Sequence, residues 1–295
     1  MKKILVTGAN GQLGSELQEL SVLYHHQYQF LFTDRADFPL DQEKQMADFF
    51  AIHQPDFCIN CAAFTAVDKA ETEREQAMLI NGWAVGKIAQ LCNEFSCRLI
   101  HISTDYVFDG NSSIPLTETA PVNPVNYYGL SKLKGEELAL SFSPSSIIIR
   151  TSWVYSSYGN NFVKTMIRLM NERPQINVVN DQIGAPTYAA DLAKTILQII
   201  EVLDAPGGAS RPGGIYHYCN SGQISWYDFA KAICQKIHAN CEVLPIPSSD
   251  YPTPAKRPAF SLMATEKIQR DFGVSVYPWE DSLDACLLKM QQYLA

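Results

Sequence analysis

Two adjacent tyrosines followed by two lysines mark the stretch NPVNYYGLSKLKGEE, residues 123–137. Tyr128 and Lys132 are four residues apart, so on a helix they share one face and lie one turn from each other. A free tyrosine has a pKa of about 10, and a nearby ammonium group favours the phenolate. We predict that Tyr128 is a general acid towards a carbonyl group that receives hydride. Tyr127 has Ser131, not a cation, at the same spacing.

The apolar segment before this predicted helix ends in polar side chains. The stretch HISTDYVFDG places Ser103, Thr104 and Asp105 where the apolar run stops. In a doubly wound sheet, ligands bind at the carboxyl ends of the strands. A hydroxyl group there can hold a substrate carbonyl oxygen beside Tyr128, so we predict that Thr104 orients the substrate. A Y-x-x-x-K spacing alone is common on helix surfaces, and its combination with Thr104 favours the catalytic interpretation.

Three glycines follow the first apolar segment of the chain. The stretch TGANGQLG places Gly8, Gly11 and Gly14 at G-x-x-G-x-x-G spacing between a predicted strand and a predicted helix. In that context glycine allows a tight turn, and backbone amides can approach a pyrophosphate at the positive end of the helix. A purely structural turn is the alternative. We predict a dinucleotide site at this turn.

A carboxylate stands at the end of the second apolar segment. Asp34 follows Gly14 by twenty residues, and an acidic side chain at about that position accepts the ribose hydroxyls of NAD. Arg35 comes next and could instead meet the 2′-phosphate of NADP. The sequence therefore predicts NADPH or NADH as cofactor and leaves the choice between them open.

Short apolar segments alternate with longer segments of helical period. The apolar segments are continuous, which is typical of strands covered on both faces. We therefore predict an α/β fold with a Rossmann-type doubly wound parallel sheet and right-handed crossovers. The predicted strands of this sheet are 2–8, 29–34, 56–63, 97–104 and 145–152. The main predicted helices are 11–24, 41–53, 73–95, 160–172, 188–203 and 279–294, with a further one beginning in the stretch 123–137.

The second half of the chain is less regular and predicts a smaller substrate domain. The stretch APGGASRPGG, residues 205–214, is typical of a linker or an exposed loop. We predict a dinucleotide-binding domain over 1–155 together with about 176–204. The smaller, mainly C-terminal α/β substrate domain is predicted over about 156–175 and 205–295.

The composition restricts the possible partners. The 295 residues are 46% hydrophobic and carry a net charge of −8, which argues against nucleic acid and acidic membranes as partners. The start MKKILVTGAN lacks the apolar stretch of a signal peptide, and no apolar run has the length of a membrane span, so we expect a cytoplasmic protein. The eight cysteines lie mostly in apolar runs, so we expect reduced core residues and no metal site.

Longer motifs resemble the extended short-chain dehydrogenase/reductase family. The glycine pattern, NCAAFTAVDKAE, STDYVFDG and YYGLSKLKGEE occur in the family's order and spacing. Two further stretches, RTSWVYSSYGNNFVKTM and NDQIGAPTYAADLA, resemble a subfamily that acts on nucleotide sugars. The resemblance covers nearly the whole chain. It implies NAD(P)H-dependent reduction of the C4 keto group of dTDP-4-dehydro-L-rhamnose to dTDP-L-rhamnose.

The resemblance also implies roles for single residues. Tyr128 would donate the proton, and Lys132 would bind the nicotinamide ribose and lower the tyrosine pKa. Residues implied in cofactor binding, besides Tyr128 and Lys132, are Gly8, Asn10, Gly11, Gln12, Leu13, Gly14, Asp34, Asp41, Ala62, Ala63 and Phe64. Residues implied in substrate binding are Thr104, Asp105, Trp153 and Arg257. Relatives tend to read RPxNSRLD around Arg257, where this chain has KRPAFSLMATEKI.

Two alternatives to this function stay open from the sequence. One is a reductase, epimerase or dehydratase that acts on another 4-keto nucleotide sugar. The other is a non-catalytic regulatory subunit resembling the methionine adenosyltransferase β subunit. No motif defines a subunit interface, and a homodimer is the assembly that we consider.

Overall fold

Strands and helices alternate along the chain in the computed structural model, which describes residues 1–292. The strands are β1 (Lys2–Thr7), β2 (Tyr28–Thr33), β3 (Phe57–Asn60), β4 (Arg98–Thr104), β5 (Ile147–Thr151), β6 (Val154–Tyr155), β7 (Gln175–Val179), β8 (Ile183–Gly184), β9 (Thr187–Tyr188), β10 (Gly214–His217), β11 (Ile224–Ser225) and β12 (Glu242–Ile246). The helices are α1 (Gln12–Ser21), α2 (Glu43–His53), α3 (Val67–Ala70), α4 (Arg74–Met78), α5 (Ala84–Glu94), α6 (Tyr127–Phe142), α7 (Phe162–Glu172), α8 (Ala189–Asp204), α9 (Trp226–Lys236), α10 (Glu266–Phe272) and α11 (Trp279–Gln292). The last two residues of the predicted final helix, Tyr293 and Leu294, lie outside the described residues.

A six-stranded parallel sheet forms the centre of the molecule. Its strand order is β10–β5–β4–β3–β1–β2. Ile4 and Val6 of β1 pack in one core with α1, α8 and α10, whereas Leu5 packs in another with α2, α5 and α6. Helices therefore cover both faces, which explains why the strands are apolar without alternation. The predicted Rossmann-type fold is confirmed.

A second region contains only small sheets. Three pairs of strands form outside the central sheet, β6 with β9, β7 with β12 and β8 with β11. Helices α7, α9 and α11 surround a separate core that includes Tyr155 and Phe229. This region lies beside the central sheet and contributes the less regular residues of the site described below.

Two strands pair with the domain to which the sequence did not assign them. Strand β10, assigned to the substrate domain, pairs with β5 at the edge of the central sheet. Strand β7, most of which was assigned to the dinucleotide-binding domain, pairs with β12 outside that sheet. The reason is that α8 packs on the central sheet and returns the chain to its edge. The division into two domains stays a proposal, with these two strands exchanged.

The cysteines are free thiols. Five are buried as expected, whereas Cys61, Cys234 and Cys241 are partly exposed. Within residues 1–292, no cluster of His, Cys, Asp and Glu side chains has an arrangement that could hold a metal ion. None of the helices in the described chain combines the length and the apolarity needed to cross a bilayer.

Candidate active site

A cavity of about 900 Å³ opens at the carboxyl edge of the central sheet. Residues from the ends of β1, β2, β3 and β4 border it, together with the start of α6. The parallel arrangement explains this position, because all carboxyl ends of the strands meet at one edge. The volume is in the range of small-molecule sites, about 300–1,000 Å³.

The glycine turn brings backbone to the cavity surface. Gly8 has φ +67°, and a Cβ atom there would lie 2.7 Å from the backbone nitrogen of Ala62. A Cβ atom on Gly14 would lie 2.4 Å from the carbonyl oxygen of Gly8. Gly8, Gly11 and Gln12 border the cavity where α1 begins. The turn therefore requires glycine at two positions, and its geometry fits a pyrophosphate at a helix N-terminus.

The end of β2 carries the charged residues predicted for the adenosine half of a dinucleotide. Asp34, Arg35 and Asp41 all border the cavity. One carboxylate oxygen of Asp34 accepts from the backbone nitrogen of Ala36 at 2.8 Å, and the other accepts from Asn10 at 3.3 Å. The exposed Arg35 guanidinium pairs with Asp41 at 3.3 Å. Asp34 thus also shapes its own turn, while Arg35 places a cation at the rim.

The end of β3 is held in place by a side chain that the sequence analysis missed. Ala62, Ala63 and Phe64 border the cavity as predicted. The amide of Asn81 accepts from the Phe64 nitrogen at 2.8 Å and donates to the Phe64 oxygen at 3.0 Å. It also donates to the Ser131 hydroxyl at 3.0 Å. The only sequence signal was a polar residue inside the apolar helical stretch LINGW.

Helix α6 places the predicted catalytic pair. The Asn126 side chain accepts from the backbone nitrogen of Gly129 at 2.8 Å and so caps the first turn. A Cβ atom on Gly129 would lie 2.1 Å from the Tyr106 carbonyl oxygen, so glycine lets the helix pack directly against the turn after β4. Tyr128 and Lys132 both border the cavity, as does Thr104 at the end of β4.

The pKa of Tyr128 is shifted upwards. Burial of the phenol raises its pKa to about 12, and a hydrogen bond with the Thr104 side chain offsets part of this rise. The net shift is upwards because burial outweighs the opposing contribution, and the lowering by Lys132 that the resemblance implies stays a prediction. The Lys132 ammonium donates to the Ile102 carbonyl oxygen at 2.6 Å. Near neutral pH Tyr128 is a protonated phenol, which is the form that a proton donor needs.

A row of buried polar side chains supports Lys132. The Thr7 hydroxyl donates to the Asn60 side-chain oxygen at 2.6 Å, and the Asn60 amide lies 3.0 Å from Nδ1 of His101. The other ring nitrogen of His101 lies 3.5 Å from the Lys132 nitrogen. Burial and the nearby Lys132 hold the pKa of His101 well below its usual range, so the ring is neutral. Burial also lowers the pKa of Lys132 to about 8.

A buried ion pair fixes α6 on the sheet below Lys132. The Arg150 guanidinium donates to both carboxylate oxygens of Glu136, at 2.9 and 2.6 Å. Ser103 donates to the same carboxylate. Glu136 lies one helical turn after Lys132, and its charge raises the Lys132 pKa, offsetting part of the effect of burial. The sequence analysis missed this pair, although Glu136 follows Lys132 at helical spacing.

Of the residues predicted to bind the substrate, Arg257 lies apart from the others. Asp105 and Trp153 border the cavity. Burial raises the pKa of Asp105 to about 6, and hydrogen bonds with Ser261 and Thr104 oppose that rise. Arg257 donates to the two carboxylate oxygens of Asp68 at 3.1 and 2.9 Å instead of bordering the cavity. Asn10 and Gly14, predicted to bind the cofactor, are likewise not among the residues that border the cavity.

Known proteins match this chain over nearly its whole length. The family model for the RmlD substrate binding domain matches residues 1–292. A dTDP-4-dehydrorhamnose reductase of Aggregatibacter actinomycetemcomitans is 41% identical over 289 residues, which cover 96% of this chain and 97% of that protein. The crystal structure of a dTDP-4-dehydrorhamnose reductase from Clostridium acetobutylicum has a TM-score of 0.91 and 37% identity, covering 98% of this chain and 99% of that one. The Bacillus anthracis dTDP-4-dehydrorhamnose reductase, solved in complex with NADP, has a TM-score of 0.91 and 38% identity, covering 98% and 100%.

Proposed function

Because this chain belongs to the RmlD substrate binding domain family, we propose that it reduces dTDP-4-dehydro-L-rhamnose to dTDP-L-rhamnose with NADPH. Relatives that carry the name dTDP-4-dehydrorhamnose reductase cover nearly the whole chain at about 40% identity. The observation that carries the proposal is the arrangement of Thr104, Tyr128 and Lys132 on the cavity that the glycine turn also borders. A reductase needs its catalytic side chains and its coenzyme site to lie close to each other.

In the proposed reaction, the chain's own residues supply the proton and hold the keto group. Bound NADPH supplies the hydride. Thr104 and Tyr128, whose side chains both border the cavity, would both direct hydroxyl groups at the oxygen on C4. Tyr128 gives its proton to that oxygen as negative charge develops there. The phenolate left on Tyr128 is stabilised by the positive charge of Lys132.

We propose that Arg35, the second residue after β2, sets the coenzyme preference. Arg35 is exposed at the cavity rim, where a guanidinium group can bind a 2′-phosphate. The related Bacillus anthracis structure contains NADP, which supports NADPH. An Arg35→Ala variant should raise the KM for NADPH by about tenfold and leave the KM for NADH nearly unchanged. Equal effects on the two coenzymes would contradict this role.

Besides Thr104 and Tyr128, the sugar nucleotide would contact three side chains. We propose that Asp105 and Trp153 contact the sugar, since both border the cavity beside Thr104. We propose that Arg257 binds the diphosphate by exchanging its contact with Asp68, because charge and geometry suit both partners.

A panel of 4-keto nucleotide sugars tests the function. Purified protein should oxidise NADPH in a one-to-one ratio with dTDP-4-dehydro-L-rhamnose consumed. An epimerase or dehydratase would regenerate its coenzyme. A regulatory subunit would bind coenzyme, turn over no sugar and copurify with a partner enzyme. Failure to oxidise NADPH or NADH with this substrate, while binding both ligands, would overturn the proposal.

We further propose that the protein works in the cytoplasm as a homodimer. The exposed side chain of Leu130 leaves apolar surface on α6, which supports self-association. Light scattering after size-exclusion chromatography measures the mass in solution. A monomer mass at micromolar concentration would contradict the dimer.

A further inference from the structure

Trp153 has a backbone conformation that large side chains rarely adopt. Its φ is +49°, in the left-handed region, which is unfavourable for a bulky side chain. The residue stands between β5 and β6, and its carbonyl oxygen accepts from the backbone nitrogen of Thr187. A strained residue of this kind keeps its conformation only where its surroundings determine it. The packing around the indole ring must therefore hold it.

The ring of Trp226 lies directly against Trp153. The two indoles are stacked with centroids 3.7 Å apart and an angle of 13° between their planes. Trp226 is the first residue of α9, which a capping box between Ser225 and Asp228 fixes at its start. Phe162 also packs on Trp226, with ring centroids 4.6 Å apart. Among the described residues, Trp153 borders the cavity and Trp226 does not, so Trp226 lies behind Trp153.

Gly184 lies close to the edge of the Trp153 indole. A Cβ atom on Gly184 would lie 3.0 Å from Cε2 and Cζ2 of Trp153. The same glycine pairs with Ile224 where β8 and β11 meet, shortly before Trp226 in the chain. One strand pairing therefore both positions Trp226 and leaves room for the Trp153 indole.

We propose that Trp226 is a positioning residue that holds the Trp153 indole as a flat aromatic surface for the pyranose ring of the nucleotide sugar. The proposal rests on the proposed function for the identity of the sugar. An aromatic surface suits the apolar C–H face of a pyranose, and aromatic side chains commonly line such sites. The role is to orient the sugar ring, so it affects the nucleotide and the coenzyme little.

Trp226→Leu tests this role because it keeps an apolar side chain and removes the stacked ring. Calorimetry on the NADP⁺-loaded protein would measure binding of dTDP-L-rhamnose and of dTDP. We expect about tenfold weaker binding of dTDP-L-rhamnose, with dTDP and NADP⁺ affinities changed by less than about twofold. Trp226→Phe, which restores an aromatic ring, should recover part of the loss.

Trp83→Leu is the matched control. Trp83 is 53% exposed, lies in the helical segment before α5 and is not among the residues that border the cavity. The same chemical change there should leave all three affinities at the wild-type value. Gly184→Ala is a second test of the indole position, because its methyl group would lie within about 3.0 Å of the Trp153 ring and displace it. It should weaken dTDP-L-rhamnose binding as Trp226→Leu does, so a failure of Trp226→Leu to fold would leave the proposal testable.

Binding results also separate this proposal from the proposed function. If Trp226→Leu and Gly184→Ala bind dTDP-L-rhamnose as tightly as Trp83→Leu, the positioning role is wrong. An equal loss for dTDP and dTDP-L-rhamnose would also overturn it, because the effect would then not lie at the sugar. A wild-type protein that binds dTDP-L-rhamnose yet reduces no sugar would overturn the proposed function alone. A wild-type protein that does not bind it would overturn both.

Discussion

The two sides of the cavity are built by different kinds of structure. One side, the sheet wall, consists of the ends of β1–β4 and the start of α6. On the other side, which we name the sugar wall after the proposed role of Trp153, Trp153 borders the cavity. Gly184 of β8 and Trp226 at the start of α9 pack against its indole. The sheet wall contains the buried ion pair of Glu136 and Arg150, each 2% exposed. The corresponding pair beside the sugar wall, Arg257 with Asp68, is 24% and 41% exposed.

This difference assigns separate tasks to the two walls. Loss of one partner from a buried hydrogen-bonded pair costs much folding free energy, because the remaining charge or donor has neither a protein partner nor water to bind. The sheet wall is therefore suited to holding the reacting groups in one arrangement. Half-exposed ion pairs and ring stacking contribute less to stability. A change in the sugar wall should consequently reduce stability less than a change in the sheet wall.

Removal of the phenol should have the largest effect on catalysis. A Tyr128→Phe variant keeps the ring in the sheet wall and lacks the proton, so kcat should fall by about 10²–10⁴-fold. NADPH binding, measured by calorimetry, should stay within about twofold of wild type. Tyr127→Phe is the matched control, since the neighbouring ring contacts Arg74 on the surface. Turnover at the wild-type rate in Tyr128→Phe would refute the acid assignment.

Removal of one buried charge should have the largest effect on stability. A Glu136→Gln variant leaves the Arg150 guanidinium buried without its countercharge, which should reduce the free energy of unfolding by about 3–5 kcal/mol. Glu137→Gln is the control, because Glu137 pairs with Lys134 on the surface and should cost at most about 1 kcal/mol. Urea unfolding measures both values. Equal costs would show that burial of the Glu136–Arg150 pair does not raise the cost of losing one partner.

The pH dependence of turnover should report on Lys132. Its pKa is lowered from the usual lysine value to about 8 by burial, so the ammonium form is lost as the pH rises through that value. If the positive charge is required, kcat/KM should fall by about tenfold per pH unit above this point. A Lys132→Met variant should be slower and should lack this step. A wild-type profile that stays flat to pH values well above 8 would contradict the requirement for the charge.

Changes at the half-exposed ion pair should have the smallest effects. Arg257→Met should raise the KM for the nucleotide sugar by about tenfold and leave kcat largely unchanged. Asp68→Asn should change that KM by less than about threefold, because it frees Arg257 instead of removing it. Arg74→Met is a matched control at an exposed arginine. A wild-type KM in Arg257→Met would remove this residue from the substrate site.

Most of the residues of the sheet wall could be predicted from local sequence patterns. The spacing of Gly8, Gly11 and Gly14 and the four-residue step from Tyr128 to Lys132 are properties of single segments. Strand order then brings these segments to one edge, because parallel strands end together. All three predicted catalytic side chains border the cavity. Their roles in catalysis stay predictions.

Contacts between distant segments could not be predicted in this way. Thr7, Asn60 and His101 become one hydrogen-bonded row only through the register of β1, β3 and β4. The partner of Arg257 is Asp68, far away in sequence. The direction of the Tyr128 pKa shift depends on burial, which residue spacing does not reveal. These features arise from packing, and each needs a three-dimensional structure.

The origin of the hydrogen added at C4 of the sugar tests the central claim most directly. NADPH carrying deuterium at both C4 positions of the dihydronicotinamide would be incubated with the protein and dTDP-4-dehydro-L-rhamnose. The account predicts that NMR of the product shows deuterium at C4 of L-rhamnose, in a one-to-one ratio with NADP⁺ formed. A product without deuterium at C4, or no product, would contradict it.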